Sequence, residues 1–368
     1  MAAAATTTTT TPSGIDELLK HQTLQTLTPD QVASFLRHGF LRVPGAIPPE
    51  TCDRWTRDVW PRLGMDPEDK ATWHTERSHL AKLHLCGGED RIVMPGGGMW
   101  TDGFIVNLGT PSSGTEPESE EGKRVKVPPR ELTNWHVDGD FFVHFLDSPE
   151  QALLVIPCWS DVGEDAGATW ICDEGPRRIG KMLYDHPEGL NPMMNARHES
   201  LRPPFQHSVF NKIIQGAPDS SFHEMTGEKG DVILMHPLML HSASVRPRMC
   251  RSLNRKNRNC AGIITNPPVS LRSPFQFDRA DPSTYSLVEL KTMRDLEGGP
   301  AALRGWKATG PRDMFMPVRL AAQERKRDEE IARLRALGIE TADPEFSQGP
   351  YLLISQQQEA VTTSGLTA

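Results

Sequence analysis

The part of this chain that most limits its fold lies between residues 134 and 265. There the apolar residues come in short runs punctuated by Gly, Pro and Asp: "WHVDGDFFVHFL", "ALLVIPCWSDV", "GATWICDEG", "GDVILMHPLMLHSAS", "MCRSLNRKNRN" and "AGIIT". Short runs with such punctuation read as strands, and several in succession build a barrel or sandwich. The flanks read differently. Residues 15–37 are expected to be helical, with Thr28-Pro29-Asp30 as N-cap and proline start for "DQVASFLRHG" and Gly39 as the stop. "FLRVPGAI" reads as a strand closing on a Pro-Gly turn, and "PPETCDRWTRDVWPRL" returns to helix. The second half of "GGGMWTDGFIVNLG" alternates as a strand does, and from about residue 315 "RLAAQERKRDEEIARLRALG" is helical and charged on most faces. The expected class is therefore mainly β with flanking helices.

At 368 residues the chain can bury a substantial core, and no internal repeat or clear linker divides it. We expect a tail over residues 1–14, one domain over 15–345 with a C-terminal helical extension from about 315, and a second tail over 346–368. Net charge −8 and a pI near 5.9 leave no electrostatic footprint for nucleic acid or an anionic membrane surface. No apolar run reaches transmembrane length. "MAAAATTTTTTPSG" lacks the basic and apolar regions of a signal peptide, and the six cysteines show no CxxC spacing. A cytoplasmic protein with reduced thiols is expected. The polar segment "TPSSGTEPESEEGKRVK" reads as a solvated loop, with a lid over residues 110–130 as the alternative.

Within this β-rich region "NWHVDGDFF" raises a chemical question. On a strand, His136 and Asp138 point to the same face, and one imidazole with one carboxylate is two-thirds of a 2-His-1-carboxylate Fe(II) triad. Alone the pair is weak, since His74-Thr75-Glu76 and His186-Pro187-Glu188 are pairs of the same kind. A second His must come from a later strand, and "GDVILMHPLMLHSAS" offers His236 and His241, which have opposite strand parity. His241, at a strand end before Ser-Ala-Ser, suits a ligand; His236 beside Pro237 reads as structural. His144 would lie about 26 Å from His136 along an extended strand, so it reads as structural or pocket-lining. Ferrous oxygenases of this type use the dianion 2-oxoglutarate, whose distal carboxylate suits the planar fork of an arginine. Arg251, ten residues beyond His241, is the candidate, with Arg246, Arg248, Arg255 and Arg258 as rivals.

With these residues in view, the chain resembles the phytanoyl-CoA dioxygenase-like family of Fe(II)/2-oxoglutarate oxygenases. The resemblance runs through "LTPDQVASFLRHGFLRVPGAIPPE", "WHVDGD", "AGATWICDEGPRR" and "GDVILMHPLMLHSASVRPRMCRSLN", roughly residues 25–260 in order. It implies a double-stranded β-helix (jelly-roll, cupin-like) core, iron on His136, Asp138 and His241, and Arg251 gripping 2-oxoglutarate. It further implies Trp159 beside the co-substrate and Thr169 within reach of it. Fe(II), 2-oxoglutarate and O2 are the expected cofactor and co-substrates. Two departures stand out. "DEGPRR" replaces the family's "PGSH", altering the loop that caps the pocket, and Ser252 followed by Leu253 removes the usual Ser two residues after the Arg.

The implied reaction oxidises an unactivated C–H bond and releases succinate and CO2. Hydroxylation is the default outcome, with desaturation or ring closure starting from the same radical. Related halogenases lack the carboxylate, so Asp138 argues against halogenation. The acidic balance disfavours a coenzyme A thioester and favours a small metabolite or biosynthetic intermediate as substrate; a homodimer is compatible with the sequence. Trp100, Asp102, Phe142, His144 and the segment Arg304 to Phe315 are further pocket candidates. The rivals are a cupin-type dioxygenase or isomerase without 2-oxoglutarate, which usually carries an HxH pattern absent here, and a degenerate binding protein on the same fold. A zinc peptidase is disfavoured, because "HEMTG" at His223 lacks the second His of HExxH.

Overall fold

The computed structural model describes residues 14–22, 26–57, 59–60, 66, 104–107, 127–164, 168–201, 204–244 and 262–315. The expected C-terminal helix beyond residue 315, the C-terminal tail, residues 1–13 of the expected N-terminal tail and residues 110–126 lie outside the described residues.

The expected N-terminal helix is divided in two, α1 (Gly14–Leu19) and α2 (Pro29–His38). The cause lies at Thr28. Its hydroxyl accepts from the Gln31 backbone N–H at 3.3 Å, and the Gln31 side chain accepts from the Thr28 N–H at 2.9 Å. This reciprocal capping box starts a helix afresh. Gly39, at φ 75°, ends it in the left-handed region. Val32, Phe35 and Leu36, at helical spacing, form the buried stripe of α2.

After β1 (Phe40–Val43), α3 (Pro49–Thr56) and β2 (Ile105–Asn107) come β3 (Leu153–Pro157) and β4 (Thr169–Cys172). Helices α4 (Gly175–Asp185) and α5 (Val209–Gly216) follow, then β5 (Phe222–Met225), β6 (Val232–Met235) and β7 (Leu240–Ala243). The described chain closes with β8 (Gly262–Ile264), β9 (Pro268–Val269), α6 (Leu287–Asp295) and α7 (Gly299–Ala302). The strands form small antiparallel sheets, in the orders β1-β6-β3-β9, β5-β4-β7 and β2-β8. Leu154, Ile156, Ile233 and Met235 of the first sheet join Ile171 and Met225 of the second in one buried cluster, so the two sheets share a core. The other face of the first sheet, with Leu41, Val155 and Val232, joins the larger core formed with α2, α4 and α6. Burial on both faces explains why β3 reads as an unbroken apolar run.

Three expectations need correction. "GDVILMHPLMLHSAS" is two strands in two different sheets, because the chain turns through His236, Pro237 and Leu238 between β6 and β7. "WHVDGDFFVHFL" is no continuous strand: only His136, Phe142 and His144 make isolated bridges, and Gly139 at φ 111° folds the chain back. His144 therefore returns towards the aspartate turn, its Nε2–H donating to the Gly139 carbonyl at 2.8 Å. Lastly "DEGPRR" opens helix α4, with Pro176 in its first turn and Gly175 so close to β7 that a Cβ would meet the Leu240 nitrogen at 2.5 Å.

His236 is structural, as its position beside Pro237 suggests. Its Nδ1 accepts from the Leu238 N–H at 3.2 Å, and its Nε2 lies 3.0 Å from the Thr292 hydroxyl of α6. Burial first, then Lys291, pushes this imidazole down to about 3; burial takes His144 to about 4. Both are depressed below the ordinary histidine value near 6.5, so in acid the unfolded chain binds protons that the folded chain refuses. Their contribution to stability is complete above about pH 6.5 and is lost as pH falls towards about 4. Thermal unfolding followed by circular dichroism should show a loss of about 2–3 kcal/mol per histidine between pH 6.5 and 4.5. His236→Asn should flatten that slope; an unchanged slope would remove His236 as a source of acid sensitivity.

Candidate metal centre

β7 pairs with β4 on one side, and on its other side it receives a single residue, His136. The two backbones exchange both hydrogen bonds, each 3.0 Å, so His136 and His241 stand directly opposite. Directly opposed residues share a face, and the imidazole centroids lie 4.3 Å apart. Along the same stretch Trp135 and Val137 are buried in the core while His136 and Asp138 point the other way. Trp135 is fixed by its indole N–H, which donates to the Pro129 carbonyl at 2.9 Å. Alternation thus does locally what the sequence pattern requires, although no regular strand is present.

Asp138 then meets both rings. Its Oδ1 is 3.5 Å from His136 Nε2 and 3.4 Å from His241 Nε2, and one donor atom from each residue falls within 4.8 Å of the others. These separations exceed the ~2.7–2.9 Å of a charge-assisted hydrogen bond. They suit three donors facing a common point. Each ring's remaining nitrogen is committed to backbone: His136 Nδ1 donates to the Asn134 carbonyl at 2.7 Å, and His241 Nδ1 to the Met239 carbonyl at 3.0 Å. That arrangement leaves both Nε2 lone pairs directed at the carboxylate, the tautomer a metal ligand needs. Asp138 Oδ2 accepts from the Asn266 side-chain N–H at 2.5 Å, which turns Oδ1 towards the histidines. Two imidazole nitrogens and one carboxylate oxygen form a donor set that fits Fe(II).

The charges are coupled. Burial opposes the Asp138 charge, but His241 and His136 outweigh it and hold the carboxyl well below its usual range. Burial likewise pulls His136 down, and the Asp138 carboxylate overcomes it, leaving the imidazole raised. A proton and a metal cation would compete for this same negative pocket.

The structure brings His136, Asp138 and His241 together. Thr169 stands opposite Ala243 in β7, two residues along from the Ile171–His241 pair and so on the same sheet face. Trp159 is buried in the core, its N–H donating to the Thr265 hydroxyl at 3.0 Å and its ring edge-on to Phe104. Arg251, its rivals Arg246, Arg248, Arg255 and Arg258, and Trp100 and Asp102 lie outside the described residues. Of the remaining pocket candidates, Phe142 stacks on His144 at 4.3 Å, and Met314 bridges Phe142. Sequence reasoning missed Asn266, for which "TNPP" carries no signal, and Gly139, for which it does. A glycine between two aspartates marks a turn, and here a Cβ would meet the Phe142 ring at 2.6 Å and His144 at 2.7 Å.

No family model and no curated protein matches the chain. Among solved structures, HygX from Streptomyces hygroscopicus, crystallised with nickel and 2-oxoglutarate, is 10% identical; the match covers 67% of this chain and 87% of that one at a TM-score of 0.33. The non-heme alpha-ketoglutarate-dependent epimerase SnoN of nogalamycin biosynthesis is 13% identical over 66% of this chain and 82% of its own, at 0.32. The carbocyclase SnoK of the same biosynthesis is 13% identical over 67% and 84%, at 0.33. Likeness at these scores assigns no activity to this chain.

Two substitutions test the geometry. Asn266→Ala leaves Asp138 Oδ2 without its donor, and Fe(II) or Co(II) affinity should fall 10- to 100-fold, measured by anaerobic titration. Gly139→Ala combines a positive φ with a steric clash and should weaken metal binding further while lowering the unfolding midpoint. Undiminished affinity in both variants would mean that the turn and the amide do not position the carboxylate.

Proposed function

We propose that this chain is an Fe(II)- and 2-oxoglutarate-dependent oxygenase that oxidises an unactivated C–H bond of a small metabolite or biosynthetic intermediate. The observation that carries this reading is the convergence of His136, Asp138 and His241, with both Nδ1 atoms tied to backbone and the carboxylate oriented by Asn266. The sequence resemblance to phytanoyl-CoA dioxygenase-like enzymes adds the co-substrate, and two small antiparallel sheets sharing a core are compatible with the double-stranded β-helix of that family. In this reading one domain spans 15–345, and the protein acts in the cytoplasm.

His136, Asp138 and His241 would hold the metal, each through one donor atom. Arg251 receives the distal carboxylate of 2-oxoglutarate as a bidentate pair. Thr169 offers a hydroxyl from the same sheet face, and Trp159, with its N–H already bound, lends only its ring as an apolar wall. When bound, Fe(II) with 2-oxoglutarate and O2 supplies the oxidative decarboxylation that drives C–H cleavage, releasing succinate and CO2. The protein's share is to hold the substrate carbon close and keep water out. Hydroxylation is the default, and desaturation or ring closure require only a different fate for the same radical. Among the described residues nothing near the centre favours a cupin-type set of additional histidine ligands, since His144 is bound to the Gly139 carbonyl and His236 lies between Leu238 and Thr292.

Anaerobic addition of 2-oxoglutarate to the Fe(II)-loaded protein should give a weak visible charge-transfer band, absent in His136→Ala and His241→Ala. No band and no uncoupled succinate formation in the wild type would sink the proposal. Arg251→Ala should weaken 2-oxoglutarate affinity selectively and leave Fe(II) affinity unchanged; unaltered 2-oxoglutarate affinity would transfer the role to another arginine.

A further inference from the structure

A second group of metal-ligating side chains lies at the other edge of the β5-β4-β7 sheet. His38 ends α2, Asp173 follows β4 and His223 lies in β5, and one donor atom from each falls within 4.8 Å of the others. Asp173 Oδ2 accepts from His38 Nδ1 at 2.8 Å and from His223 Nε2 at 3.0 Å, so a bound cation would take the place of the two ring protons at this oxygen. The side chains are 33%, 14% and 26% exposed for His38, Asp173 and His223, so the group is set into the surface yet reachable from solvent. Phe40 walls one side, 5.1 Å from the His223 ring and 5.9 Å from His38.

The sheet register relates this group to the first. Ile171 stands opposite His223 on β5 and opposite His241 on β7, so all three occupy one rung and one face. Two strand spacings, about 10 Å, separate the α-carbons of the two histidines. The clusters are neighbours that share no residue.

We infer that His38, Asp173 and His223 form a second divalent-metal site, of the Zn(II) type, with water completing the coordination shell. Two imidazoles and one carboxylate suit Zn(II), Co(II) or Ni(II) and are poor ligands for Mg(II) or Ca(II), which take oxygen. His38 occupies the last turn of a ten-residue helix, whose carbonyl end favours a cation. A metal there would clip α2 and β1 to β4 and β5 across sequence separations of 135 and 50 residues. Closing loops of that length removes freedom chiefly from the unfolded chain. The role is structural, and it stands whether or not the first centre binds iron.

The test uses the full chain with His136→Ala and Asp138→Ala, which silences the first centre. Titrated with Zn(II) or Co(II) alone, this protein should bind one equivalent, and saturating Zn(II) should raise its unfolding midpoint by several degrees, on the order of ~5 °C. Adding His223→Ala should abolish both effects. Where that variant loses its circular dichroism spectrum, His38→Asn replaces it with the same expectation. If the silenced chain binds no metal and its midpoint ignores Zn(II), the cluster is only a hydrogen-bonded tie between helix and sheet, and the inference is overturned.

Discussion

Two backbone hydrogen bonds between His136 and His241 hold the rest of the site in place. They join a residue from an irregular segment to the free edge of β7, and in doing so bring together side chains 105 positions apart with no strand to impose register. Register is otherwise a property of strands, and a slip of one residue would send Trp135 or Val137 to the site and the histidine into the core. What prevents the slip is burial: Trp135 and Val137 are almost inaccessible, and the Trp135 N–H is spent on Pro129. Apolar packing on one side of the segment thus fixes polar geometry on the other.

The histidines near the centre show how the partner of each ring nitrogen decides a role. His236 accepts at Nδ1 from Leu238 and faces Thr292 through Nε2, whose hydroxyl in turn donates to the Val288 carbonyl at 2.9 Å. No lone pair is left for a ligand. His144 donates its Nε2–H to Gly139, holding the turn that carries Asp138. His136 and His241 instead give their Nδ1–H to carbonyls two residues earlier and keep Nε2 for the carboxylate. Rings with different backbone surroundings thus become one structural histidine, one support and two metal-ligand candidates.

Much of this was legible beforehand, for physical reasons that differ by residue. Strand parity does not relate His241 to His236, because His241 lies in β7 and His236 in the turn after β6; what separates them is that both His236 ring nitrogens are taken, by Leu238 and Thr292. Thr28 and Gly39 announced their helix through cap chemistry that is local in sequence. Asn266 could not be read, since its partner is 128 residues away and nothing local favours an amide there. The run from Trp135 to Leu146 misled because aromatic and β-branched content signals strand, whereas Gly139 breaks the run and tertiary pairing with Leu190 and Met314 supplies its hydrogen bonds. Helix α4 was hidden behind glycine, proline and charged residues, and α6 is buried on so many sides that it shows little polar face.

That pairing with Met314 extends the site's dependence to the end of the described chain. Val143 donates to the Asp313 carbonyl at 2.9 Å, and Phe315 to the Phe141 carbonyl at 2.7 Å, so residues 313–315 lie against the segment that follows the aspartate turn. Arg312 reinforces them, 2.7 Å from Asp147 and over the Phe145 ring. The phenyl of Phe142 in turn stacks on His144, and both press on Gly139 where a Cβ has no room. A push on residues 312–315 therefore passes through Phe142 and His144 to the turn that aims Asp138. Close packing makes such a chain stiff, because a ring with no free volume moves only when its neighbours do. The carboxylate's position is thus set by contacts from both sides, Asn266 at its oxygen and the 312–315 segment behind its backbone.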